Sequence, residues 1–228
     1  MALLKKRAHA FDMHVQDMTL RITASPDLYE ECRASAMQFW DQLHSFALRN
    51  QRFGTSKLPV ELADDAPPLM MDIARKTALA GVGPMYAFEG AVTDYVGRFL
   101  ASQSGEAVIS SGGGYFALTR KRTKLTVFHG EEKDDGLAIV VDPKFGQLGV
   151  YTTMGRRDLP VESVDGLIVL ASSCTLADAV GVYSLGLMAK PDPLKKTLAY
   201  LQSIEGVLGG IVIRGGDIGV AGAVEIAA

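Results

Sequence analysis

Hydrophobic positions along the chain change period twice. From about residue 28 to 104 they recur every three or four residues, the spacing of an amphipathic helix. From 106 to 171 they alternate or run continuously, as strands do, and from 175 to 204 the helical spacing returns. Residues 9–24, HAFDMHVQDMTLRITA, alternate loosely and predict an extended arm or a strand pair. A first helix follows, with Ser25 as N-cap, Pro26 at its first position, and Leu28, Cys32, Met37, Trp40, Leu43 and Ala47 along one face. Residues 51–65 read as a loop. APPLMMDIARKTALAG predicts a second helix ending at Gly81. A third is expected to be capped by Gly83 and opened by Pro84, with the stripe Met85, Phe88, Val92, Tyr95 and Phe99.

Six strand-like runs come next: EAVISS, YFALT, KLTVFH, GLAIVVD, QLGVYTT and VDGLIVLA. TLADAVGVYSLGLM and PLKKTLAYLQSI then predict two helices, and GGIVIRG with DIGVAG predicts a closing hairpin. N-terminal helices, a strand-rich middle, and C-terminal helices with a hairpin describe an α+β fold rather than a doubly wound parallel sheet. We expect residues 1–228 to form a single domain, with a division into two lobes left open.

Charge narrows the partners. The net charge of −3 argues against general nucleic-acid binding, and the basic run TRKRTK (119–124) reads as a solvated loop between strands. Cys32 and Cys174 form neither a disulfide framework nor a zinc spacing, and His9, His14, His44 and His129 lack ligand spacing. The start of the chain lacks a signal-peptide pattern, and no apolar run reaches the roughly 18 residues of a membrane helix. The expectation is a cytoplasmic protein without a membrane or nucleic-acid partner; a homo-oligomer is left open.

Several stretches carry candidate chemistry beside a plainer reading. Gly81 and Gly83 in GVGP precede a helix N-terminus, where free N–H groups hold phosphates; the same turn also serves simply to join two helices. Thr152, Thr153 and Arg156 in VYTTMGRRDLP offer hydroxyls and a forked guanidinium for an anion, or form a surface loop. RGGDIG is read as a hairpin turn, so Asp217 receives no role. Glu89 and Asp94, five residues apart on one helix, are not expected to face each other. Cys174 has no partner motif for a nucleophile and reads as a buried structural thiol. SSGGG (110–114) interrupts strand with three glycines, as a turn does or as a strand that a ligand approaches closely.

RNQRFGTSKLPVEL, AGVGPMYAFEGAVTDYVGRFL, VISSGGGY, LADAVGVYSLG and IEGVLGGIVIRGGDIGVAGAVEI, in that order, resemble the uncharacterised prokaryotic branch of the ApbE-like superfamily, from about residue 49 onward. The superfamily's namesake is a magnesium-dependent FAD:protein FMN transferase. The resemblance implies an ApbE-like fold and a flavin or similar nucleotide as ligand, with FAD or FMN and Mg²⁺ as the implied cofactors. It also implies that Ser110, Ser111, Gly112, Gly113 and Gly114 are a glycine-kinked strand at a pocket wall rather than a hairpin tip. Two departures stand out. Where the branch reads Glu-Asn-Gly-Gly-Asp, this chain has Ser110 to Gly114 and so lacks both carboxylates. Where the superfamily places an Asp and, four residues on, a Thr for the metal, this chain has Asp178 and Val182. Asp178 is therefore either a metal ligand or the N3 member of a capping box led by Thr175. Two readings of function follow. One is a nucleotide- or flavin-binding protein with degenerate metal-site residues. The other is a Mg-dependent transferase-like or flavin-nucleotide-cleaving enzyme.

Overall fold

The computed structural model describes residues 9–24, 28–128, 136–154 and 165–227. Its framework is an eight-stranded sheet in the order β1 (His9–Val15), β2 (Met18–Ala24), β3 (Ala107–Ser111), β4 (Gly114–Leu118), β7 (Leu148–Thr152), β8 (Gly166–Ala171), β9 (Val207–Arg214), β10 (Asp217–Gly222). Every neighbouring pair is antiparallel. The strands missing from that series, β5 (Thr123–Phe128) and β6 (Leu137–Val141), form a second sheet with β11 (Ile226–Ala227), a short pairing absent from the sequence reading.

The helices cover one face of the large sheet. Helices α1 (Tyr29–Arg49) and α4 (Phe88–Ser104) pack over β1–β4, where Phe39, Leu43, Val92, Val96 and Leu100 meet Leu20, Ile22, Ile109 and Phe116. On β7–β9, α5 (Cys174–Met188) and α6 (Pro193–Ser203) place Ala177, Val180 and Leu201 against Tyr151, Leu167, Val169 and Val212. The small sheet covers the opposite face, with Leu125, Val127, Ile139 and Val141 on Leu148, Val150, Ile168, Leu170 and Ile211. Strand alternation sends Leu148 and Val150 to one side and Gly149 and Tyr151 to the other. With both faces covered, all six residues of β8 are buried, which is why GLIVLA reads as a continuous apolar run.

The strand pair expected over residues 9–24 is the β1–β2 hairpin, and the RGGDIG hairpin turns through Gly215 and Gly216 at φ +60° and +86°. Two boundaries differ from expectation. The segment 51–65 begins with a short helix, α2 (Gln51–Thr55), and the third helix opens as a 3₁₀ turn, Pro84–Ala87, before α4. Proline at the start of the tighter turn lacks only an N–H that would be unpaired there anyway. Helix α3 (Pro68–Ala80) ends as expected at Gly81, whose φ is +78°. The cap proposed at Ser25 and Pro26 lies outside the described residues. No helix among the described residues is long and apolar enough to cross a membrane.

Candidate functional site

Strands β3 and β4 are joined by Gly112 and Gly113 alone, with Ser111 paired to Gly114. The expectation of a kinked strand is therefore corrected: SSGGG ends in a two-residue hairpin turn. Its first central residue, Gly112, has φ +44°, a conformation glycine adopts without penalty and that such a turn requires. The turn does not project into solvent alone. The Thr152 N–H at the end of β7 donates to the Gly113 carbonyl (2.8 Å), and the Ser111 hydroxyl lies 3.0 Å from the Thr93 hydroxyl on α4.

Two carboxylates border this turn. Asp178 on α5 lies against α4 where the helices cross: a Cβ at Gly90 would come 2.7 Å from Asp178 Oδ2 and 2.6 Å from the Cys174 carbonyl oxygen. A Cβ at Gly114 would sit 3.6 Å from Asp178 Oδ1, and one at Gly112 would sit 3.4 Å from Glu89 Oε2. The structure thus gathers Ser111, Gly112, Gly113, Gly114, Thr152, Asp178 and Glu89. Ser110, next to Ser111 on β3, points to the opposite face of the sheet. Thr153 is absorbed by strand pairing, its Oγ1 accepting from Leu167 N–H (2.9 Å) and its N–H donating to the Leu167 carbonyl (3.0 Å). Arg156, like His129, lies outside the described residues.

Gly81 and Gly83 do not form an anion cradle. Gly81 N–H donates to Ala78 O, Val82 N–H to Thr77 O and Gly83 N–H to Lys57 O, at 3.0, 3.1 and 3.0 Å. A Cβ at Gly83 would fall 1.8 Å from the Ser56 carbonyl oxygen, so this glycine permits close passage of another chain segment rather than of a ligand.

The capping box at Thr175 and Asp178 is also corrected. Ser173 is the N-cap of α5: its backbone is extended, and its hydroxyl accepts from Leu176 N–H (3.2 Å). Thr175 is already inside the helix, which places Asp178 at the fifth helical position, past the reach of a cap. The remaining first-turn donors are met from a different helix. Asp94 Oδ1 accepts from Cys174 N–H (2.8 Å) and Gln147 Nε2 (2.9 Å), and its Oδ2 accepts from Thr175 N–H (3.0 Å) and the Thr175 hydroxyl (2.7 Å). Asp94 is fully buried. Sequence reasoning missed this role, although a lone carboxylate within the apolar run AVTDYV was a signal for it. With Ala177 N–H bound to Ser173 O, the α5 N-terminus is closed to an external anion.

Cys174 is buried, and its Sγ lies 3.4 Å from the Tyr115 carbonyl oxygen. Burial, with the Asp94 and Asp178 charges adding to it, holds the thiol well above its ordinary pKa, which disfavours the thiolate form. Among the described residues no three His, Cys, Asp or Glu side chains cluster as a metal site.

Comparison with known proteins places the chain as a whole. A sequence model of the family described as "AbpE bacteria" matches residues 1–191, including the β1–β2 hairpin and α1 that the resemblance had left out. A UPF0280 protein of Methanothrix thermoacetophila is 25% identical over 218 residues, covering 94% of this chain and 91% of its own. The ApbE protein of Thermotoga maritima shares the fold with a TM-score of 0.64, at 11% identity over 94% of this chain and 97% of that one. The flavinyl transferase ApbE of Pseudomonas stutzeri gives 0.50, at 15% identity over 97% and 96%. At these identities the likeness to the solved structures is one of fold.

Proposed function

The chain belongs to the family described as AbpE bacteria, an ApbE-like family, and from that premise we propose that it binds a flavin-type nucleotide at the Gly112–Gly113 turn. The observation that carries this reading is the convergence there of a side-chain-free turn, the Thr152 end of β7 and the Asp178 carboxylate. Glycines let the planar or phosphate part of a ligand approach the backbone closely. Loss of oxygen donors at Gly114 and Val182 favours a binding role over metal-dependent transfer. The transferase-like or nucleotide-cleaving alternative is supported by Asp178, whose Oδ1 faces position 114. The implied Mg²⁺ needs hard oxygen ligands, and Asp178 would supply one of them.

A thermal-shift panel of FAD, FMN, ADP and AMP, each with and without Mg²⁺, tests the proposal. Stabilisation by at least one flavin nucleotide is expected; a ligand present at 100 times its Kd adds about 2.7 kcal/mol. No shift with any of them would sink the nucleotide reading. Release of FMN or AMP from FAD only in the presence of Mg²⁺ would replace the binding reading with the enzymatic one.

Position 114 offers a second test. In Gly114→Asp the new Cβ lies 3.0 Å from the Val150 carbonyl oxygen, a tight fit that a small shift of β7 relieves. The added carboxylate faces Asp178, so repulsion is expected to destabilise the metal-free variant by about 1–2 kcal/mol. Millimolar Mg²⁺ should reverse that loss. A variant whose melting temperature ignores Mg²⁺ would mean that these two positions do not share a site.

A further inference from the structure

The two edges of the large sheet are finished differently. On β1 the exposed row is polar: Asp12 forms an ion pair with Arg21 (2.9 Å) and His14 hydrogen-bonds Thr19, while Met13 and Val15 are buried. Charged and polar groups on an edge discourage a further strand from adding to it. At the other edge, β10 carries the reverse pattern. Ile218 and Val220 are 64% and 49% exposed, Asp217 is the only charge of the strand, and the strand has neither lysine nor proline. Among the described residues β10 pairs with β9 alone.

Backbone and side chains present the same two residues. The turn at Gly215 and Gly216 closes on a hydrogen-bonded pair, Arg214 and Asp217, and the alternation that follows directs the N–H and C=O of Ile218 and Val220 away from β9. Their side chains share a face with their cross-strand partners Ile213 and Ile211, and so extend the apolar layer under the small sheet beyond β9. On the other face, Leu198 and Leu194 of α6 lie 2.6 and 2.9 Å from where a Cβ at Gly219 would stand. The edge is therefore apolar above and below. A second copy of the chain matches it. About a two-fold axis at Gly219, Ile218 lies opposite Val220 of the second copy, and Val220 opposite its Ile218. Both pairs then exchange their outward backbone hydrogen bonds. Asp217 meets Ala221 of the second copy, and the two Asp217 residues stand about 13 Å apart along the strands, beyond a screening length of about 8 Å. Such a contact consumes the free edge and does not propagate. We infer that β10 is a dimerisation edge, which joins the large sheets of two copies into one.

Analytical ultracentrifugation of the purified chain over a range of concentrations tests this. One strand with its flanking residues is at the small end of specific interfaces, so a dimer with a micromolar dissociation constant is expected. Ile218→Lys and Val220→Lys should each weaken it about tenfold or more, because each charge enters the interface twice. Leu48→Lys, on the exposed side of α1, should leave it unchanged. Both edge positions are exposed, so the lysine variants are expected to fold, which equal melting temperatures in dilute solution would verify. Amide hydrogen exchange locates the contact without any substitution and decides alone if a variant misfolds. Raising the concentration should slow exchange at the Ile218 and Val220 N–H groups about tenfold, with a smaller change at Gly219, which is already bonded to β9. A chain that stays monomeric at every concentration overturns the inference. So does a dimer that both lysine variants retain, or one in which the Ile218 and Val220 amides gain no protection.

Discussion

Replacing Asp94 by alanine is expected to destabilise the protein by about 4 kcal/mol, the largest effect of any single side-chain truncation near the site. The carboxylate accepts four hydrogen bonds, from Cys174 N–H, Gln147 Nε2, Thr175 N–H and the Thr175 hydroxyl, and none of these groups is offered a replacement. Hydrogen bonds to a charged acceptor are stronger than neutral ones, and a buried donor left alone loses its full hydration. Asp94→Asn keeps one carbonyl oxygen but turns an N–H toward donors, so it should lose about half as much. Urea unfolding measures both variants. A loss below about 1 kcal/mol for the alanine variant would show that water or a shifted Ser173 replaces the carboxylate. Asp178 stands one turn further along α5, so ligand affinity is expected to fall with the same substitution.

Gly149→Ala is expected to lose about 3 kcal/mol or more. The added methyl would lie 2.1 Å from the Ser173 carbonyl carbon, 2.2 Å from the Cys174 nitrogen and 2.3 Å from the Ser173 carbonyl oxygen. These are backbone atoms at the capped start of α5, so no rotamer change relieves the clash. Either β7 or the helix must move, and both carry residues of the site, Thr152 and Asp178. Gly186→Ala on the same helix is the matching control, because nothing lies within 4 Å of its Cβ position. Removing glycine from a helix interior there should add about 0.5–1 kcal/mol. Equal melting temperatures for the two variants would refute the close-approach account of Gly149.

Much of this architecture is legible in the sequence because burial imposes a period. Strands β3 to β8 and helices α5 and α6 fall where alternation and three-to-four spacing place them. Gly81 marks the end of α3, since few other residues adopt its left-handed backbone. Short elements were not legible. Helix α2 has five residues and β11 two, too few for any period to register. The start of α5 was misplaced because TLAD contains a plausible local cap, whereas the donors of Cys174 and Thr175 are met by Asp94, eighty residues earlier.

Residue types and spacing were enough for the α+β class, the order of nearly all the elements and the family pattern, together with the absence of oxygen donors at Gly114 and Val182. Each of these depends on residue type and on neighbours a few positions away. It took the folded arrangement to show that SSGGG is a hairpin turn, that the N–H groups of Gly81 and Gly83 are bonded within the chain, and that Glu89 and Asp178 both approach that turn. Those facts depend on how α4, α5 and the sheet cross, and the crossing is set by close contacts at Gly90 and Gly149 between residues distant in sequence.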